Sequence, residues 1–161
     1  MIARKYETRL DKDGLVTFEK VWSKHIPIVV NLFTYPENIY ELCKALKLDN
    51  YSEEHIFLLI FDIKMHFKSF IEIGIGSDHE CFIDKRGIAQ KVLMLNAGAF
   101  VIVHNHPSGD STPSSADFKT FNTIHELGIF IGIPLEDMFI LGDDTYYSFA
   151  ESNKKKQEGE I

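Results

Sequence analysis

The stretch that decides both fold and chemistry is Phe100-Val-Ile-Val-His104-Asn-His106-Pro-Ser-Gly109, carried on to Pro113-Ser114-Ser115-Ala116-Asp117. An apolar run ends in two histidines one residue apart, then a Pro-Ser-Gly turn, then Ser-x-x-Asp at the mouth of a helix. Side chains alternate across an extended segment, so His104 and His106 point the same way and can converge on one ion. Asp117, returning on the following helix, is a third donor. Two imidazoles and a carboxylate, with one position left for water, form the donor set of a catalytic zinc centre. Ser114 and Asp117 also make a weak form of the capping box, and the two roles are compatible. The backbone starts the helix while the carboxylate faces the ion.

Outward from this stretch, residues 99–103 are wholly apolar, as in a strand buried in a sheet with helices on both faces. Residues 55–63 form a second apolar strand. Residues 67–75 alternate at Phe67, Ser69, Ile71 and Ile73, so the two segments read as a hairpin turning between Asp62 and Met65. Gly74 and Gly76 end it, and residues 77–80 are a loop. Ile88, Val92 and Leu95 recur at helical spacing over residues 84–97, with Gly98 as the stop. Pro36 opens an earlier helix over residues 36–47, whose apolar face is Ile39, Leu42, Cys43 and Leu46. After the motif, residues 115–127 are helical, with Phe118, Phe121 and Ile124 on one side and Gly128 at the end. Residues 138–141 and 146–149 are strands around an Asp143-Asp144 turn. Residues 1–34 offer only short extended segments (15–18 and 26–30), and residues 48–53 form a polar link. Residues 152–161, with Lys154-Lys-Lys156, are a charged tail expected to be disordered. Strands and helices alternate, which gives an α/β fold with a mixed sheet flanked by helices.

At 161 residues and 45% hydrophobic, the chain is sized for one domain with a real core. No run of about eighteen apolar residues is present, which excludes a membrane-spanning helix. The start, with Arg4, Lys5, Glu7 and Arg9, lacks the apolar core of a signal peptide. Two cysteines, Cys43 and Cys81, with no CxxC indicate neither a disulfide framework nor a cysteine metal site, so a cytoplasmic protein is expected. A net charge of −7 argues against non-specific binding to nucleic acid, which relies on basic surface.

His104-Asn-His106-Pro107-Ser108-Gly109-Asp110, followed by Pro113-Ser114-Ser115-Ala116-Asp117, resembles the JAMM signature of JAB/MPN-domain metallopeptidases. Within them it resembles the bacterial RadC-like branch. The resemblance covers residues 51–151, leaving residues 1–50 as an N-terminal extension packed on the domain. It implies a single JAB/MPN-type domain of cytidine-deaminase-like architecture. It also implies that His104, His106 and Asp117 hold Zn²⁺, that Ser114 supports the water or the oxyanion, and that a glutamate from an earlier strand works through the metal-bound water. Glu53 and Glu54 are adjacent, and the resemblance selects Glu54. The reaction implied is hydrolysis of a peptide or isopeptide bond in a protein or peptide substrate. Elementary chemistry agrees: zinc brings the pKa of its water to about 7. A carboxylate can carry the proton to the leaving amine, and a hydroxyl can donate to an oxyanion.

The family name also carries an association with DNA repair, and its longer members bear a helix-hairpin-helix region. Residues 1–50 show no Gly-rich hairpin of that kind. Lys85-Arg86 stands where the family usually has Pro-Arg, and Asp137-Met138 where it often has Leu-Asp-His. The alternative function is a non-catalytic metal-binding module associated with DNA repair or mobile-element processing. Deamination is disfavoured because His-x-Glu with Pro-Cys-x-x-Cys is missing. An HNH-nuclease reading fails too, since those residues are dispersed over a ββα unit rather than consecutive. His25, His66, His79 and His125 match no motif position and are expected in packing or surface roles, and His55, beside Glu54, is expected as a strand-edge residue rather than a ligand.

Overall fold

The computed structural model describes residues 1–30, 32–76 and 84–159. In chain order the elements are β1 (Ile2–Leu10), β2 (Val16–His25), α1 (Pro36–Leu46), β3 (His55–Phe61), β4 (Phe67–Ile75), α2 (Lys85–Met94), β5 (Ala99–Asn105), α3 (Ser115–Ile131), β6 (Leu135–Leu141), β7 (Tyr146–Ser148) and α4 (Phe149–Glu158). The strands form one mixed sheet of seven in the order β2-β1-β4-β3-β5-β6-β7. Pairs β1–β4 and β5–β6 are parallel and the others antiparallel.

Strands β3 and β5 are buried at every position, because helices cover both faces of the sheet. Phe57, Leu59 and Phe61 point to one side, where they pack with Leu42, Cys43 and Phe33 from α1 and the segment before it. Leu58 and Ile60 point to the other, against Ile88 and Val92 of α2, Ile124 of α3 and Phe149 of α4. On β5, Val101 and Val103 face the α1 side while Phe100 and Ile102 face the α3 side. The alternation continues into the motif and sends His104 toward α3. The buried Cys43 thiol is pushed up by desolvation, consistent with packing rather than nucleophilic chemistry.

Several expectations are corrected. Residues 1–34 hold a long antiparallel hairpin, β1–β2, that extends the main sheet rather than isolated short segments. Its turn is organised by Asp11, whose carboxylate accepts from the backbone of Asp13 and Leu15, both at 2.9 Å. Residues 26–30, by contrast, are not a strand. Within the 48–53 link Leu48 is part of the core.

Gly98 does not cap α2. The helix ends at Met94 with Leu95 as its C-cap; Asn96 takes a positive φ of 50°. Gly98 instead lets the chain pass against the 62–63 turn: a Cβ there would lie 2.2 Å from the Ile63 backbone nitrogen. Likewise α3 runs through Gly128 to Ile131 and is capped by Gly132 at φ 71°. Gly128 is interior, where a Cβ would meet the Ile133 carbonyl and the Leu135 nitrogen at 2.9 Å.

The tail is helical as α4 through Glu158. Its N-cap Ser148 accepts from Glu151 N–H. Asp137 accepts from the Ala150 N–H and the Ser148 hydroxyl. The loop expected over residues 77–80, and with it His79 and Cys81, lies outside the described residues. Among the described residues no helix is long and apolar enough to cross a membrane.

Candidate metal centre

Strand register assembles the centre. Ile56 pairs with His104. Glu54, two residues earlier, therefore arrives on the side of the sheet that Ile56 and His104 share. Its Oε1 lies 2.8 Å from His104 Nδ1. An ionised carboxylate only accepts, so in the neutral ring, the form that binds metal ions, Nδ1 carries the proton and Nε2 keeps a lone pair. His106 is placed by its backbone N–H, which donates to the Leu141 carbonyl at 2.8 Å and prolongs the β5–β6 pairing. Its Nδ1–H donates to the Asp110 carbonyl at 2.7 Å, so its Nε2 is also the free acceptor. The two rings stand at 82° with centroids 4.9 Å apart.

Asp117 closes the opposite wall from the first turn of α3. The Ser114 backbone N–H and hydroxyl both donate to Oδ2 at 2.7 Å, and Asp117 N–H donates back to Ser114 Oγ at 3.2 Å. This is the capping box expected from the sequence, here with aspartate as the acid. The carboxylate meets both histidines: Oδ1 is 3.3 Å from His104 Nε2 and Oδ2 is 3.9 Å from His106 Nε2. His104 Nε2 is buried and makes no hydrogen bond among the described residues. A bare ring nitrogen and a carboxylate oxygen at that separation present lone pairs to one another, and burying both without a positive partner is costly. A cation between them removes the conflict.

The donors present fit a metal ion. Glu54, His104 and His106 each bring a donor atom to within 4.8 Å of the other two. Asp117 adds a second carboxylate at the distances above, so both expected acids, Glu54 and Asp117, converge on the histidine pair. Glu54 binds the outer nitrogen of His104 and Asp117 faces the inner one. The orphaned nitrogen favours the Asp117 side as the metal side, with Glu54 orienting the ring, as outer carboxylates do for ligating histidines. Two imidazoles and a carboxylate suit zinc and other first-row transition ions.

Glu53 is exposed and does not reach His104; it lines, with Ser52, Glu54, Gly76, His106, Pro107 and Ser108, a cleft of about 570 Å³ beside the centre. Ser114 spends its single hydroxyl proton on Asp117 Oδ2. Of the other histidines, His55 bonds Glu72 at 2.8 Å, His66 bonds Asp62 at 2.9 Å, and His125 stacks on Phe121. Sequence reading missed Asn105, whose buried carboxamide ties β5 to the 51–55 segment, and Gly76, whose N–H holds the Glu54 carbonyl at 2.7 Å. The available signal was a carboxamide held between two histidines, at the end of a strand that is apolar from Ala99 to Val103.

Comparison with known proteins places these residues in a family. A family model described as the RadC-like JAB domain matches residues 33–155, from just before α1 into α4. A UPF0758 protein of Protochlamydia amoebophila is 35% identical over 123 residues, covering 76% of this chain and 52% of its own length. One from Clostridium novyi is 36% identical over 103 residues, covering 64% and 45%. One from Chlorobium phaeovibrioides is 32% identical over 117 residues, covering 73% and 52%. The chain thus spans about half the length of the curated relatives it matches. The β1–β2 hairpin precedes the matched region, while His104, His106, Ser114, Asp117 and Glu54 all fall within it. This chain belongs to the RadC-like JAB domain family.

Proposed function

We propose that the domain is a zinc-dependent hydrolase of peptide or isopeptide bonds, of the JAMM type, acting on a protein or peptide substrate. The observation that carries the reading is the buried Nε2 of His104, without a hydrogen bond among the described residues, facing Asp117 Oδ1 at 3.3 Å beside a cleft that holds a second carboxylate. His104, His106 and Asp117 hold the ion in this reading. Bound zinc supplies Lewis acidity and makes water acidic enough to ionise near neutral pH.

The chain's own groups supply the rest. Glu54 keeps Oε1 on His104 Nδ1–H, and its Oε2, toward Gly76, takes the proton of the attacking water and returns it to the leaving amine. Ser114 N–H retains Asp117 Oδ2 when the hydroxyl turns from that oxygen to the developing oxyanion.

The test is zinc-loaded full chain against a panel of fluorogenic peptides and lysine isopeptides. Cleavage that Glu54→Gln abolishes at unchanged zinc content supports the reading. No cleavage, together with salt-sensitive DNA binding, replaces it with the non-catalytic module.

A further inference from the structure

We infer that Asn105, the residue between the two histidines, is a positioning residue that fixes Glu54 against His104. This rests on the reading above in taking the Glu54–His104 pair as functional, and it concerns a residue that neither touches the centre nor faces the cleft. Alternation along β5 sends Asn105 away from its neighbours, and it is 1% exposed.

Its carboxamide is engaged with three backbone groups of one short segment. Oδ1 accepts the His55 N–H at 2.8 Å, and Nδ2 donates to the Glu53 carbonyl at 2.9 Å and the Tyr51 carbonyl at 3.3 Å. Two of these groups belong to the residues on either side of Glu54. Asn105 therefore reads the backbone around Glu54 while adjacent His104 reads its side chain.

The arrangement answers a problem that topology leaves open. Glu54 sits just before β3, and a slip of one residue there would present Glu53 or His55 to the metal centre instead. From the β4 side, Gly76 N–H donates to the Glu54 carbonyl. Asn105 supplies the opposing grip from β5. The grip needs a carboxamide: the segment presents one donor and two acceptors, which a carboxylate cannot match. Glutamine would carry the amide one methylene too far.

The experiment is proton NMR of the ¹⁵N-histidine-labelled, metal-free full chain, following two imidazole protons. One is His104 Nδ1–H, held by Glu54 and assigned by its loss in Glu54→Ala. The other is His106 Nδ1–H, held by the Asp110 carbonyl and serving as internal control. In Asn105→Ala the first is expected to disappear or to exchange at least about tenfold faster, while the second stays and one zinc per chain still binds on reconstitution. A core variant of comparable thermal loss, Ile60→Ala, is expected to leave both unchanged, which separates positioning from general loosening. Where Asn105→Ala does not fold, Asn105→Asp keeps the acceptor for His55 N–H, loses both donors and is expected to show the same selective effect. An unchanged His104 proton in the Asn105 variants, an equal change in Ile60→Ala, or no such proton in the wild type would overturn the inference. None of these readouts uses turnover, so an inactive chain would sink the hydrolase reading and leave this one standing.

Discussion

His104 Nε2 and Asp117 Oδ1 face each other at 3.3 Å, and each is already committed on its far side. The ring's other nitrogen holds its proton for Glu54, and the carboxylate's other oxygen takes two hydrogen bonds from Ser114. The outer partners thus orient both groups while leaving an acceptor–acceptor gap between them. Under the proposed assignment, both groups are aimed before an ion arrives.

Ser114→Ala removes the hydroxyl from Asp117 Oδ2 and the side-chain cap from α3. Loss of the cap is expected to lower stability by about 1 kcal/mol. Loosening of the carboxylate is expected to weaken zinc binding about 10- to 100-fold without changing its stoichiometry. Thermal denaturation and chelator competition measure the two effects separately.

Glu54→Gln is expected to retain one zinc per chain, because the amide oxygen still accepts from His104 Nδ1–H. Hydrolysis is expected to fall by about 10²- to 10⁴-fold, the usual contribution of a positioned base. His106→Ala is expected to lose metal and turnover together. Undiminished hydrolysis by Glu54→Gln would remove Glu54 as the base.

Asp137 gives a pH dependence remote from the centre. Desolvation pushes its carboxyl up to about 6, although Ser148, Ala150 and Met138 all donate to it. An acid whose folded pKa is raised stabilises the fold while protonated, fully so below its unfolded value of 3.8 and progressively less as pH rises toward 6. Over that window it is expected to withdraw about 2–3 kcal/mol. Urea denaturation from pH 4 to pH 7 should show this loss in the wild type and not in Asp137→Asn.

Gly98→Ala is expected to lower stability by about 3 kcal/mol. The new methyl would meet backbone atoms of Asp62 and Ile63, the nearest at 2.2 Å, which cannot rotate away as a side chain would. Urea denaturation of the variant checks it; stability within about 0.5 kcal/mol of wild type would show that the strand and turn separate readily.

Much of the architecture was legible because the relevant signals are local. The apolar runs of β3 and β5 announce strands buried on both faces, and period-two alternation alone puts His104 and His106 on one side. The capping box, too, is written in Ser114-x-x-Asp117. What was not legible depends on distant partners. Strands β1 and β2 are polar and half-exposed, so their apolar pattern is weak, although the Asp-Gly turn at residues 13–14 was a usable sign. Helix α4 reads as a solvated tail until Asp137 and Ser148 are seen holding its first turn, with Phe149 as its buried anchor. Gly98 and Gly128 look like helix stops, yet both are there because backbone from elsewhere passes within contact distance. The meeting of Glu54 with His104, 50 residues apart, is decided by the β3–β5 register, which no local pattern encodes.

The most direct test of the centre is metal content by elemental analysis after zinc reconstitution, with wild type beside His104→Ala and Asp117→Ala. The account predicts about one zinc per wild-type chain and loss of it in both variants, each folded by circular dichroism. A wild-type chain that takes up no zinc, or an Asp117→Ala variant that keeps it in full, would contradict the assignment of His104, His106 and Asp117 as its ligands.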